Sequence, residues 1–431
     1  MVAAAAEIVP HLTTALSGPL NIIESVILAH QARIESWFRS QWRKTPAPLY
    51  ASVDLRNAGY NIAPVDTNLF PAGFNNLNPA FESLCIQAVQ SALGRLAQPV
   101  DRVLIIPENH TRNMHYLESL AVLQGIFVKA GFETRVGSLL PDLDQPMHLS
   151  LNSGAPLCLE PLQRDGASLF VQDFQPELLV LNNDLSSGVP ELLKGSEQLI
   201  MPPLNLGWSD RLKSVHFGFY RDTAQEFAAL LDIDPWLIEP LFRNCGEVDF
   251  MKRAGESCLS RNVEALLTAI RKKYDEYDIN SDPFVMIKAD SGTYGMGVMS
   301  VHSPEEVHDL NRKQRTKMAT VKEGQKVTKA IIQEGVYTHE TWGKPNTVAE
   351  PVVYLIGQNV VGGFYRVHPQ RATNENLNSP GMYFERLAFE ECCNSPDREQ
   401  SPAAHLNRFY SYGVLARLAA LAAAREVQSL G

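Results

Sequence analysis

"RVLIIPENHTRNMHYLESLAVLQGIFVKAGFETRVGSL", residues 102–139, decides the fold. The apolar run RVLIIP leads into a helical stretch ending at Gly131, and a second extended run, FETRVGSL, follows. Strand, glycine-terminated helix and strand form the βαβ signature of a parallel sheet, and PELLVLNND (176–184) adds another parallel strand. In open sheets of this kind ligands sit beyond the carboxyl ends of the strands. ENHTRN (108–113) and NNDLSSG (182–188) fall at such ends, and each reads equally well as a plain surface loop.

Towards the N-terminus, apolar residues from Ile22 to Phe38 recur at helical spacing, predicting one amphipathic helix over 19–44 closed by Pro46 and Pro48. LYASVDL then reads as a strand, followed by the irregular NAGYNIAPVDTNLFPAGFNNLNP. Beyond residue 240 the character changes. A helix over 258–277 precedes the strand PFVMIKA, a glycine loop and GVMSV, and a helix starts at Ser303 with Pro304 in its first position. The charged stretch 311–328 reads as a mobile candidate lid. Three strands follow, AIIQEGV, EPVVYLI and NVVGGFYRV, the last two joined by a hairpin turn at IGQN (356–359). The Ala-rich YGVLARLAALAAAREV, interrupted by Arg417 and Arg425, is too short and too charged to span a bilayer and reads as a core helix.

The expected class is α/β and α+β. Its units are an N-terminal helix and metal/substrate strand region (1–95), an α/β substrate-binding domain (96–235) and a nucleotide-binding domain (236–431). A length of 431 residues allows two or three domains. A net charge of −10 argues against nucleic acid or a membrane surface as partner, since either favours a basic face. The opening MVAAAAEIVP lacks a basic start and is broken by Glu7 and Pro10, so a signal peptide is not expected. The six cysteines show no metal-ligand spacing, as in a reduced cytoplasm, and the adjacent Cys392 and Cys393 read as a buried pair or a redox switch.

The chemistry starts at MIKADSGTYGMGVMSV (286–301), where Lys288 leads into Gly292, Gly295 and Gly297. Glycines let a backbone cup phosphate oxygens, and a lysine at the strand end supplies a point charge against them. A glycine-rich hairpin with a surface lysine is the plain alternative. Asp66 and Asn68 alternate on a strand, so they share a face and offer the hard oxygens that suit Mg²⁺, or else simply cap their own loop. Gln333 and Glu334 precede Gly335 at a strand end, where backbone groups can meet an adenine edge. Arg366 ends a strand beside the Asn-rich ATNENLNSPG, in which Asn376 lies, and suits a carboxylate or phosphate as well as a structural ion pair.

In this chain order these residues resemble the ATP-grasp ligases, in the permuted arrangement of eukaryotic-type glutathione synthetases. SVDLRNAGYNIAPVDTNLFPAGFNNLNPAF and MIKADSGTYGMGVMSV are similar to a proteobacterial family of glutamate–cysteine ligases, over about residues 10–428. The resemblance implies ATP as co-substrate, L-glutamate and L-cysteine as substrates, and Mg²⁺, with Mn²⁺ as an alternative. It implies metal binding by Asp66 and Asn68, and a phosphate loop of Lys288, Gly292, Gly295 and Gly297. It also implies an adenine hinge at Gln333, Glu334 and Val336, Lys252 as the first nucleotide lysine, and Arg366 with Lys288 as the catalytic cations. Arg56, Arg366, Asn376 and Arg112 are the expected substrate contacts. The glutamate that synthetases carry inside the glycine loop is missing, so the third metal ligand falls to Asp290, the nearest acid, or to Glu350 or Glu385. The same pattern fits glutathione synthetase, another carboxylate–amine ligase, or a non-catalytic nucleotide-binding relative, and leaves a homo-oligomer open.

Overall fold

The structure is a computed structural model describing residues 20–292, 297–320, 326–343, 347–386, 396–399, 401 and 405–430. Gly295, Cys392, Cys393 and the opening nineteen residues lie outside the described residues. Strands and helices are numbered along the chain.

A central antiparallel sheet joins distant parts of the sequence. Its core strands are β1 (Tyr50–Asn57), β2 (Ile62–Asn68), β15 (Val348–Ile356) and β16 (Asn359–His368), with β17 (Tyr383–Arg386) at one edge. Its order is β17-β16-β15-β1-β2, so a strand near residue 50 pairs with one near 350, Val53 lying opposite Val353. β15 and β16 form the expected hairpin, turning at Gly357 with a positive φ of 56°. β14 (Ala330–Glu334), which precedes them in sequence, belongs to a different sheet.

That second sheet holds β11 (Phe242–Cys245), β12 (Val285–Ala289), β13 (Val298–Val301) and β14, in the order β11-β14-β12-β13, all antiparallel. A third sheet contains β3 (Arg102–Pro107), β4 (Glu133–Ser138), β5 (Met147–Ser150), β6 (Pro156–Pro161), β9 (Leu178–Asn182) and β10 (Leu199–Met201). There β3 runs parallel to both β4 and β9, as the βαβ reading requires, and only β5 is antiparallel. β7 (Gln163–Asp165) and β8 (Ser168–Phe170) make a separate ribbon. The mixed α/β and α+β class therefore holds.

Local chemistry explains the helices. α4 (Met114–Lys129) starts where the Asn113 side chain accepts the Tyr116 amide and ends before Gly131, whose φ of 100° suits a residue without Cβ. It covers the parallel sheet, burying Leu120 and Leu123, and α3 (Glu82–Leu93) packs between it and β15 and β16, burying Val89. The single helix expected over 19–44 is two, α1 (Leu20–Ala29) and α2 (Gln31–Lys44). His30 between them leaves helical geometry at φ −102° and ψ 15°, and its ring bonds the Val26 carbonyl. α6 (Glu256–Glu276) backs the small sheet, and the helix expected after Ser303 is the single turn α7 (Glu305–His308). The candidate lid is partly regular. α8 (Arg312–Ala319) begins in an Asn311–Gln314 capping box and buries Met318, which argues against a loose flap over that segment. α5 (Lys213–Leu231) and α9 (His405–Gln428) pack together, and α9 lies against β1, β2 and β15 as the core helix its composition suggested. Among the described residues no helix is long and apolar enough to cross a membrane.

Candidate functional site

β1 and β2 lie antiparallel, and a register shift after Asp54 leaves Asp54 directly opposite Asp66. On the neighbouring pair Glu350 of β15 lies opposite Arg366 of β16. These four residues converge where two cavities meet. Asp54, Asp66, Arg366 and Asn378 line both. The narrow chamber, about 80 Å³, lies between the central and small sheets. The wide one, about 710 Å³, lies between the central sheet and the carboxyl ends of the parallel sheet, where Asn113, Tyr116 and Asp184 reach it.

Around the narrow chamber runs a buried ion network. The Arg56 Nε donates to Glu350 Oε2 at 3.0 Å, and its Nη1 and Nη2 donate to the carbonyls of Val336 (3.1 Å) and Glu375 (2.5 Å). Arg366 Nη1 donates to Asp54 Oδ2 at 2.7 Å and to Glu350 Oε1. Lys288 Nζ donates to the Val65 carbonyl at 2.8 Å and to Gln333 Oε1 at 2.6 Å. Two donors are left over. The Arg366 Nε and Gln333 Nε2 are buried with no partner among the described residues, and both side chains line this chamber.

Charge and burial pull the titrations apart. Burial lowers the Lys288 ammonium to about 8, with Asp66 opposing and Lys213 and Arg56 assisting. Burial pushes the Asp66 carboxyl up, but Lys213 and Lys288 outweigh it and hold the group below its ordinary range. Glu350 is likewise kept low against burial by Arg56 and Arg366. Asp54 goes the other way: burial raises it against the pull of Arg366, and the neighbouring Glu350 and Asp66 add to the rise.

Of the residues expected from sequence, Arg56, Asp66, Lys288, Gly292, Gln333, Glu334, Val336, Arg366 and Asn376 all line the narrow chamber. Gly292 does so with φ at 97°. The Glu334 carboxylate is occupied elsewhere, accepting from Trp236 Nε1 and the Leu241 amide. Its strand end is fixed on both sides, because the Glu334 amide bonds Leu241 and the Gly335 amide bonds Phe284. Gly335 is needed there, since a Cβ would come within 2.2 Å of the Phe284 ring. Gly297, at φ 60°, closes the hairpin by accepting the Ala289 amide and stands outside the lining.

Other residues are not brought in. Lys252 is exposed on a turn beside Asp249, outside both chambers. Arg112 is exposed, and its neighbour Asn113 lines the wide chamber instead. Asn68 lines only the wide chamber, and its Oδ1 accepts the Phe70 amide at 2.9 Å. Asp290, expected as the third metal ligand, lines neither chamber. Its carboxylate is buried and accepts the Ser214 amide and hydroxyl, both at 2.7 Å, which joins it to the start of α5. Glu350 lines the narrow chamber and accepts from the guanidiniums of Arg56 and Arg366, and Glu385 lines neither chamber. Among the described residues no cluster of three or more His, Cys, Asp or Glu is arranged around a metal position. Sequence reasoning missed Lys213, whose Nζ lies 3.1 Å from Asp66 Oδ1, and Asp54, which stands at the junction of the chambers. Period-two spacing from Arg56 on β1 was the available signal for Asp54.

The family profile described as Glutamate-cysteine ligase matches residues 24–427. The chain belongs to the glutamate–cysteine ligase family. A crystal structure from Methylobacillus flagellatus KT, provisionally named a gamma-glutamylcysteine synthetase, is 53% identical, with a TM-score of 0.91 over 99% of this chain and 100% of that one. More distant are a glutathione synthetase-like effector from Globodera pallida (10% identity, TM-score 0.38, 86% and 84% of the two chains) and a D-alanyl-alanine synthetase A from Vibrio cholerae (8%, 0.33, 75% and 82%). No curated protein matches the chain. Membership of the glutamate–cysteine ligase family makes the chain an ATP-dependent ligase of glutathione biosynthesis.

Proposed function

We propose that this ligase joins the γ-carboxylate of L-glutamate to the amine of L-cysteine through an acyl phosphate, with the narrow chamber as the phosphoryl-transfer site. One observation carries the placement. Two donors, Arg366 Nε and Gln333 Nε2, are buried without partners in a chamber that also holds the Lys288 ammonium. Unpaired buried donors are costly, and an oxyanion ligand satisfies them.

A carboxylate oxygen of glutamate attacks the γ-phosphorus of ATP and ADP leaves. The cysteine amine then attacks the acyl carbon, the C–N bond forms and inorganic phosphate departs. Lys288 and Arg366 face the charge that develops on the transferring group, and Gln333 fixes Lys288 by accepting from it. Gln333 to Val336 supply the strand end for the adenine, where the Val336 amide has no partner among the described residues. The chamber takes the phosphate end of the nucleotide.

Asp66 fits a divalent cation. Its carboxylate lines both chambers and is 39% exposed, and Asn68 shares its face of β2. Together they would hold Mg²⁺, or Mn²⁺ in its place, which completes its shell with water and phosphate oxygens. Such an ion supplies charge neutralisation on the triphosphate. The wide chamber, lined by Asp54, Asp184, Asn75 and Asn113 among others, receives the amino-acid substrates, whose ammonium groups its acids other than Asp66 suit. A cytoplasmic setting fits the reduced thiols of Cys85, Cys158, Cys245 and Cys258.

The test is a panel of acids and amines incubated with purified protein, ATP and Mg²⁺, with ADP release and the amide product measured. Glutamate plus cysteine is expected to give the fastest turnover. Faster ADP release with another acid and amine pair overturns the substrate assignment.

A further inference from the structure

We propose that Lys213 is a mobile cation of the active site: it holds the Asp66 carboxylate in the substrate-free enzyme and turns to a phosphoryl oxygen once a divalent cation takes that carboxylate. This rests on the nucleotide reading of the narrow chamber given above.

Lys213 is the first residue of α5. A cation there faces the positive end of a helix dipole, a position that favours acids. The side chain is also buried, 8% exposed, where an ammonium needs a compensating partner. The fold nevertheless fixes it in place with several independent contacts. The Lys213 amide donates to the Asp290 carbonyl at 2.7 Å, and the Asp290 carboxylate accepts from Ser214. Two residues earlier Arg211 donates to the Thr67 carbonyl of β2 at 2.8 Å, while Glu426 of α9 grips its guanidinium from the other side. The segment is thereby strapped to β2 on one side and to the end of β12 on the other. Its lysine lies 3.1 Å from Asp66 Oδ1, with the ammonium 3.8 Å above the Trp208 ring.

A stable ion pair alone would explain Asp66 if that carboxylate had no other work. Asp66, however, lines both chambers and shares its β2 face with Asn68. A carboxylate cannot serve a lysine at hydrogen-bond distance and a divalent ion equally well, because the two cations repel at that range. Lys213 also lines the narrow chamber beside Lys288, so an anion entering there offers it a new partner without leaving the cavity. The Trp208 face keeps the ammonium stabilised during the exchange. Lys213 thus stands in for the metal while the site is empty and adds a positive charge to the phosphoryl group once it is filled.

The experiment compares Lys213→Met and Lys213→Arg with the wild-type enzyme, with folding checked by thermal melting. The first readout is Mn²⁺ binding to the nucleotide-free protein, followed by electron paramagnetic resonance. Needing no substrate, it stands whichever acid and amine the site joins. Lys213→Met removes the competitor for Asp66 and should bind Mn²⁺ about tenfold more tightly. Lys213→Arg keeps a charge with a bidentate fork and should bind it more weakly than wild type. The second readout is ADP release at saturating metal, where Lys213→Met should lose about 100-fold in kcat with little change in the KM for ATP. Unchanged or weaker Mn²⁺ binding by a folded Lys213→Met protein overturns the proposal, as does wild-type kcat. Should the methionine variant not fold, Lys213→Arg with wild-type Mn²⁺ affinity overturns it equally.

Discussion

The two chambers share four residues and differ in almost everything else. The narrow one gathers Arg56, Lys213, Lys288 and Arg366 in about 80 Å³. The wide one, about 710 Å³, has Arg366 as its only arginine or lysine among the described residues and is walled by amides, aromatics and Asp54, Asp66 and Asp184. A protein of net charge −10 repels a triphosphate at long range, so it must concentrate its cations where the phosphates go. The proposed amino-acid side differs in having few cations and many amides, which suit the orientation of a polar substrate. In the proposed function the chemistry divides along the central sheet of β1, β2, β15 and β16, and Asp54, Asp66 and Arg366 line both chambers.

Several substitutions break or sharpen that division. The largest effect is expected from Lys288→Ala, which should lower ATP turnover about 1,000-fold, measured as ADP release. Full turnover in this variant would remove the narrow chamber from the reaction. Next is Arg366→Met, which strands Asp54 in the interior and should cost about 3 kcal/mol of stability in a denaturant titration. Unchanged stability would show that Asp54 is neutral or solvated there. Asp66→Asn should weaken the apparent affinity for Mg²⁺ about 30-fold in steady-state titrations, and an unaltered metal dependence would take Asp66 out of the ligand set.

A pH effect follows from Lys288, whose ammonium burial lowers to about 8. Phosphate favours the charged form, so ATP affinity should fall as pH rises through about 8, by at most about tenfold per unit. Calorimetry in buffers of different ionisation heat reads the proton uptake, and Lys288→Arg should flatten the profile. The sign for stability is reversed. The fold disfavours the charged lysine, so the substrate-free protein should gain stability between pH 8 and the ordinary lysine range. The smallest effect belongs to the wide chamber. Asn75→Ala should raise the KM of an amino-acid substrate about fivefold and leave that of ATP unchanged. A change in the ATP value instead would merge the two chambers into one functional site.

Much of this was legible in the sequence where the signal is local. The βαβ unit announced itself through Gly131 and two apolar runs, and the β15–β16 hairpin through IGQN. The cluster around Asp66, Lys288 and Arg366 came from strand-end polar residues and the family resemblance together. What escaped depended on distance. Nothing near Lys213 in sequence names Asp66 as its partner, 147 positions away. A hint was present nonetheless, because Arg211 and Lys213 put two cations at a helix start, where the dipole disfavours them. The surroundings of Asp290 escaped for the converse reason. An acid beside a glycine loop looks like a ligand, and only the fold shows it spent on the Ser214 amide and hydroxyl. The break at His30 left no mark, since the apolar spacing continues through it.

The pairing of β1 with β15 sets a schedule for biosynthesis. When Tyr50 leaves the ribosome, the strand that will cover it, ending at Ile356, has yet to be made. At roughly 5–20 residues per second, those three hundred or so residues take about 15–60 s to appear. Throughout that interval β1, buried along almost its whole length in the folded chain, has one open edge, a template for stray pairing. Nascent chains of this ligase should accordingly lean on chaperones, and slowing translation before residue 348 should lower the soluble yield more than slowing it afterwards.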